Sequence, residues 1–389
     1  MRMETSAGEA GEQGEQKKGK PGGRRWARRL LVGLGVTAAA FGLWVAAHHV
    51  GQAPPARLFT EADLPPQPPP GDNGWLLVAG PTTRMHMISI PHELNHLLRP
   101  DPGEPLLERA RARREAISAF LQKGEADGAL RALEQATAMP RFADGCPPRF
   151  EPFCPIFPLR TAEMVAGLEA LRRGVEGDWP GALSLSARLT RADVDAATSS
   201  RSMFSHALAI ADLRLGLEVS AALLEGYKQA RAQGAAPLDP ATLEALRAAD
   251  AALGKLDLGE LSARRAVITE YIMTRDAIEQ IGQAAAREMP AQSFWSRLVF
   301  DEAATIEAIN QRFTKLAARA ADPSAAPSAS EPPRGGLFWW TYNPVGKMAL
   351  EAVSFDSNPQ IDHIEKERAH IDAARTRARE AMRPVLQGS

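Results

Sequence analysis

Hydrophobic residues follow two different rules along this chain. Between residues 30 and 50 (LLVGLGVTAAAFGLWVAAHHV) lies a run of 21 positions with no Asp, Glu, Lys or Arg. From about residue 104 onward, apolar residues instead return at every third or fourth position, the spacing of one buried stripe on an α-helix. This second pattern predicts helices over residues 106–123 and 126–139, paired around Gly124, and over 159–176 and 178–189, paired around Gly177. The clearest stripe spans residues 200–233, through Met203, Ala207, Ile210, Leu213, Leu217, Ala221 and Leu224. Asp239 before Pro240 offers an N-cap with proline at the first helical position, starting a helix to about residue 253. Long helices follow over 258–288 and 293–321. A last helix, 359–382, carries Ile361, Ile364 and Ile371 among many charges, a narrow apolar seam on a solvated helix. Residues 75–90 are ambiguous between short strands and a first helix with its loop. Nothing later resembles a strand partner, so no extensive sheet is expected. The fold class is all-α: one N-terminal transmembrane helix, then a multi-helix bundle or an irregular solenoid of helical hairpins.

Breaks in the pattern divide the chain into a basic tail (1–29), an apolar anchor (30–50), a Pro-rich linker (51–73), a helical body (74–321), a low-complexity linker (322–336) and a C-terminal segment with its own helix (337–389). Seven prolines in the first linker, Pro54 to Pro70, prevent helix and favour a semi-rigid extended path. The second linker, DPSAAPSASEPPRGG, has too little apolar content to pack. The two hairpin turns repeat each other: Gly124, Gly128, Ala129 and Leu130 return 53 residues later as Gly177, Gly181, Ala182 and Leu183. This G-[DE]-x-x-G-A-L turn resembles the helix junction of a tetratricopeptide unit, where small residues let two helices approach. Two hairpins without a 34-residue period are not an array.

At 1.5 Å per residue the charge-free run reaches about 31 Å, the thickness of a bilayer's hydrocarbon core. Lys17, Lys18, Lys20, Arg24, Arg25, Arg28 and Arg29 precede it without an acidic residue, and residues 48–56 contain no Lys or Arg. The positive-inside rule therefore keeps the N-terminus cytoplasmic and exports the body, with Trp26 and Trp44 near the two ends. A cleaved signal peptide is the alternative, since Val45-Ala46-Ala47 suits a peptidase and Arg28-Arg29 before Leu30 resembles a twin-arginine signal. The run's full length and Trp44 favour a retained anchor. The expected location is the bacterial inner membrane, single-pass, with a periplasmic body; the absence of any N-x-[ST] after the anchor agrees with a periplasm.

Charge changes the picture once. The net −1 separates into +4 over residues 1–29 and −5 over 51–389, so the body is mildly acidic and unsuited to nucleic acid. Cys146 and Cys154, the only cysteines, bracket a Pro-rich loop (CPPRFEPFC), and in an oxidising compartment a disulfide between them is expected. Cys-x7-Cys without a nearby His matches no structural zinc spacing.

The sharpest chemical motif is His92-Glu93-Leu94-Asn95-His96. On a helix, H-E-x-x-H puts two imidazoles on one face for zinc and a carboxylate beside them to activate water. The five residues resemble the zincin metallopeptidases. The resemblance implies His92 and His96 as ligands and Glu93 as general base. Pro91 before the motif and Pro100 and Pro102 after it confine any helix to two turns. Barely 40 residues separate the motif from the anchor, too few for a substrate-shaping sheet. The preferred reading is a short helix with two incidental histidines. His363, Glu367 and His370 share a helical face, as a solvated charged helix readily produces, and Ser205-His206 with Asp212 lacks a nucleophile elbow. Phe338, Trp339, Trp340 and Tyr342 gather four of the chain's 23 aromatics and mark an interaction patch or a segment docked into the core. The functional expectation is a non-enzymatic, membrane-anchored periplasmic protein that needs no cofactor and acts by binding other envelope proteins. The alternative is a membrane-bound zinc hydrolase using the H-E-x-x-H residues.

Overall fold

Helical periodicity is realised almost throughout. The structure, a computed structural model, describes residues 22–49, 53–79, 88–99, 103–148, 156–288, 300–322, 343–353 and 357–387. Among these residues there are fourteen α-helices and no strand, the nearest approach to a sheet being one isolated bridge between Asn73 and Arg141. The chain divides into two units, Met1–Gln52 and Ala53–Ser389.

The first unit is built on helix α1, Gly22–His49. Leu31, Leu34, Val36 and Leu43 are each more than half exposed on it. Among the described residues, no helix is long and apolar enough to cross a membrane. The described side chains of α1 end at Leu43, while the apolar run continues to Val50.

In the second unit, short helices α2 (Trp75–Val78), α3 (His92–Leu97), α4 (Leu106–Ala112), α5 (Arg114–Leu121) and α6 (Gly124–Thr137) lead into a long hairpin of α7 (Phe157–Glu176) and α8 (Trp179–Ser199). The helix expected over 106–123 breaks at Arg113 into α4 and α5. The two look-alike turns differ in build. Gly177 ends α7 at φ 85°, a left-handed cap that a side chain would strain, and Asp178 then caps α8 by accepting the Gly181 N–H at 3.0 Å. Gly124 instead begins its helix and has no positive φ. Sequence similarity there does not carry the same turn.

Helix α8 runs ten residues past its expected end at 189. Its last turns bury Ala192, Val194, Ala196 and Ala197, and also the carboxyl of Asp193. Helix α9 (Met203–Ala232) packs against α7, α8 and the last helix, α14 (Ser357–Gln387). Being enclosed on several sides, α9 buries Ser205, His206, Asp212 and Ser220 as well as its leucine stripe. Helix α10 (Pro240–Lys255) starts as expected, with Asp239 accepting the Thr242 N–H at 2.9 Å. Residues 258–261 form a separate 3-10 turn ahead of α11 (Ala263–Glu288). Helix α12 (Glu302–Ala321) is capped by Asp301, later than the expected start at 293; residues 289–299 lie outside the described residues. Helix α13 (Pro344–Val353) begins with proline at its first position, after Asn343, whose side-chain oxygen accepts the Gly346 N–H at 3.1 Å. The seam of α14 is wider than its charge suggests, burying Ile361, Ile364, Ile371, Ala374, Ala378 and Met382. Each buried Ile or Met among them contributes roughly 1.5–3 kcal/mol, each Ala less. One continuous core joins Leu64 to Met382.

Residues 53–60 run extended along the body, as their prolines favour, before a single 3-10 turn at Glu61–Asp63 and a further irregular Pro-rich stretch. Arg275 and Asn310 donate to the carbonyls of Pro55 and Ala56, and farther along Gln67 donates to the Gly145 carbonyl at 3.0 Å. The Pro-rich segment is therefore a docked strap.

Candidate functional site

The most unusual chemistry lies where α7, α8 and α9 converge. Arg160 and Glu163 stand one turn apart on α7, Asp193 near the end of α8, and Asp212 on α9. Arg160 donates to Asp212, forming a buried ion pair between α7 and α9. Glu163 and Asp193 are 6% and 3% exposed and act on each other's protonation across the α7–α8 seam. Two carboxylates in that relation cannot both ionise, so the pair holds a shared proton. Burial, reinforced by the neighbouring Asp193 charge, pushes the Glu163 carboxyl well above the usual carboxylate range, while Arg160 pulls the other way. Burial likewise pushes Asp193 up to about 7, against hydrogen bonding from Glu163 and the charge of Arg160. Neither Glu163 Oε2 nor Asp193 Oδ1 accepts a hydrogen bond from an N–H or O–H of the surrounding protein.

Backbone geometry makes room for these groups. A Cβ on Gly216 of α9 would sit 2.5 Å from Asp193 Oδ2, so the absent side chain is what lets the carboxyl enter. One turn along, Ser220 Oγ lies 2.6 Å from Ser186 Oγ and 3.0 Å from Thr190 Oγ1, a neutral polar layer that satisfies itself. At the other end of the cleft sits Asp144, buried and raised by desolvation. It is held by the Ser205 hydroxyl and by the N–H groups of Arg201 and Cys146. The cavity beside these groups is small, about 10 Å³, with Trp75, Ile156 and Leu159 on its apolar wall. Its carboxyls can store and release a proton.

Of the residues singled out from sequence, Ser205 and Asp212 line this cleft, and the others described here lie elsewhere. The H-E-x-x-H motif forms the six-residue helix α3, begun after Pro91 as its proline dictates. Leu94 and Leu97 anchor it, while His92, Glu93 and His96 are exposed. The two imidazole rings are 4.4 Å apart, edge to face. The charge of His92, then slight desolvation and Arg99, lower the His96 pKa. No group of three or more His, Cys, Asp or Glu side chains among the described residues is arranged to hold a metal ion. On α14, Glu367 accepts from Arg214 at 2.6 Å, tying α14 to α9 between exposed His363 and His370. His206 is fully buried, its ring facing Ser200 Oγ at 2.6 Å and the Leu261 carbonyl at 3.3 Å. Burial, then Arg265, pushes its pKa down to about 4, so it is a neutral packing histidine. Cys146 is buried, and no free cysteine occurs among the described residues. Cys154 and the aromatic patch of Phe338, Trp339, Trp340 and Tyr342 lie outside the described residues.

Sequence reading missed Glu163 and Asp193 and met Asp212 only beside Ser205-His206, because the three acids stand on different helices. A signal was present in the stripe itself: Asp212 sits between Ile210 and Leu213 on the longest apolar stripe read from the body. No family model matches this chain, and no curated protein or solved structure matches it.

Proposed function

We propose that this chain is a single-pass inner-membrane protein with a cytoplasmic N-terminus. Its periplasmic helical body acts by binding other envelope proteins. The observation that carries the reading is the charge-free run of residues 30–50 behind seven Lys and Arg residues. Its described side chains support it: Leu31 and Leu43 are each 71% exposed on α1, an apolar surface that calls for lipid. The test is topology. In spheroplasts, added protease is expected to digest the body while the basic tail stays protected, and the protein is expected to stay with membranes after alkaline extraction. A body protected from outside, or a soluble form beginning after Ala47, overturns the anchored reading. A disulfide between Cys146 and Cys154 accompanies it, checked as a linked peptide in non-reducing mass spectrometry.

The second reading, a zinc hydrolase, is favoured by the pairing of His92 and His96 on one exposed helical face. Stoichiometric zinc in the purified full chain, lost on His92→Ala, would replace the binding reading with this one.

A further inference from the structure

We infer that the groove holding the strap is a recognition site for an extended, basic-aromatic segment of another protein, occupied here in cis by residues 55–59. The inference rests on the protein-binding reading above and names the kind of segment bound.

The groove is built from the inside of the body. Tyr271 and Arg275 of α11 and Asn310 of α12 are 0%, 5% and 8% exposed, yet their polar ends point at the strap. Arg275 donates to the Pro55 carbonyl at 2.8 Å and the Ala56 carbonyl at 3.2 Å, and Asn310 Nδ2 donates to Ala56 at 3.1 Å. Tyr271 Oη accepts the Leu58 N–H at 2.9 Å and donates to Asn310 Oδ1 at 2.9 Å. These contacts read backbone only, so any extended chain that presents two carbonyls and an N–H at this spacing satisfies them. Proline at 54 and 55 keeps the segment extended and removes two N–H groups that would need partners.

Two contacts read side chains. Arg57 pairs with Asp276 at 3.0 Å and Glu279 at 2.5 Å, and the Phe59 ring stands edge-on to Tyr271 at 5.5 Å. Asp276, Glu279 and Glu302, on which the Glu279 charge acts, outnumber the guanidinium of Arg275 among the described residues here, so the bare groove is negative and selects a cationic residue. The asymmetry in burial makes the occupant exchangeable. Residues 53–63 are all exposed or half-buried, and Phe59 is the large apolar side chain among them that packs against the core. The groove's buried donors, by contrast, require acceptors once the strap leaves. A partner segment with a basic residue two positions before an aromatic, preceded by proline or small residues, supplies them.

The test uses the full chain in detergent and a fluorescent peptide APPARLFTEAD, the strap's own sequence, as probe. Arg57→Glu in the chain weakens the strap without altering the groove. It is expected to raise peptide affinity at least tenfold over the wild type, whose groove is filled. Adding Asp276→Lys should abolish that gain, and a peptide with Glu for Arg and Ala for Phe should not bind. Absence of binding to an Arg57→Glu chain whose circular dichroism matches the wild type overturns the groove as a recognition site. So does binding that is indifferent to Asp276→Lys. A wild-type dimer dissolved by Arg57→Glu would make a second copy the occupant and overturn the heterologous partner. The topology assay is independent of these results, so a failed peptide titration leaves the membrane-tethered reading standing.

Discussion

The H-E-x-x-H helix and the acid cleft stand at opposite physical extremes. In the first, titratable groups are adjacent in sequence, exposed, and carried on a helix of six residues. In the second, they come from three long helices, lie buried, and hold one another's charge in check. A spacing rule guarantees only that side chains share a face. It does not supply burial, desolvation or a third partner, which shift protonation and fix geometry. The cleft has all three without any motif. Chemistry in this body is concentrated where helices converge.

The largest expected effect follows from breaking the ion pair. Arg160→Ala leaves Asp212, 3% exposed, as an uncompensated buried charge beside the acid pair. With Arg160 itself 28% exposed and partly screened, the expected loss is about 2–4 kcal/mol by denaturant titration. An equal loss on His96→Ala would erase the distinction between the two clusters.

Next comes the pH dependence. The folded protein keeps Asp193 protonated to about 7, whereas the unfolded chain releases that proton near its ordinary value of 3.8. The folded state then binds more protons between those two values, so stability falls as pH rises across that window. The contribution is fully present below pH 3.8 and lost above about 7. The double variant Glu163→Gln with Asp193→Asn carries no shared proton. It is expected to flatten this slope, matching wild type near pH 4 and exceeding it by about 1–3 kcal/mol at pH 8. Parallel slopes for the two proteins, measured by denaturation across the window, would remove the shared proton from the cleft.

A smaller effect tests the space rather than the charge. Gly216→Ala puts a methyl 2.5 Å from Asp193 Oδ2, forcing the carboxyl to move at a cost of about 1–3 kcal/mol. Asp193→Ala in the same chain removes the obstacle, so the double variant should lose much less than the sum of the singles. Additive losses would place the strain elsewhere.

Much of the fold was legible. Period and caps located α7, α9, α10 and α14, because each combines a long stripe with a recognisable start such as Asp239-Pro240 or a stop such as Gly177. The extension of α8 was not legible: RADVDAATSS reads as polar, and only the partners on α9 and α7 turn Asp193 inward. The strap was legible as extended but not as docked. Its prolines fix its own backbone, while its contacts come from Tyr271, Arg275 and Asn310, more than 200 residues away. Of the site, sequence gave neighbours along one helix; it had no means to bring Glu163, Asp193 and Asp212 together.

The smallest expected effect falls on the motif that sequence ranked first. His92 and His96 project from α3 into solvent, while the helix is held by Leu94 and Leu97, which are 0% and 1% exposed. The two imidazole rings stand edge to face 4.4 Å apart, and His92 disfavours the protonated form of His96. Replacing both with alanine therefore removes a mild repulsion at low pH and no packing. The melting temperature is expected to stay within about 2 °C of wild type at neutral pH. At lower pH, where His92 disfavours the protonated form of His96, the variant should be equal or slightly higher. The decisive control is Leu94→Ala on the same helix, which empties a fully buried site and is expected to cost about 2–4 kcal/mol. A large loss from the histidine variant, reversed in wild type by chelator, would instead mean that a metal joins this helix to the body. The comparison between motif and cleft would then have to be redrawn around that metal.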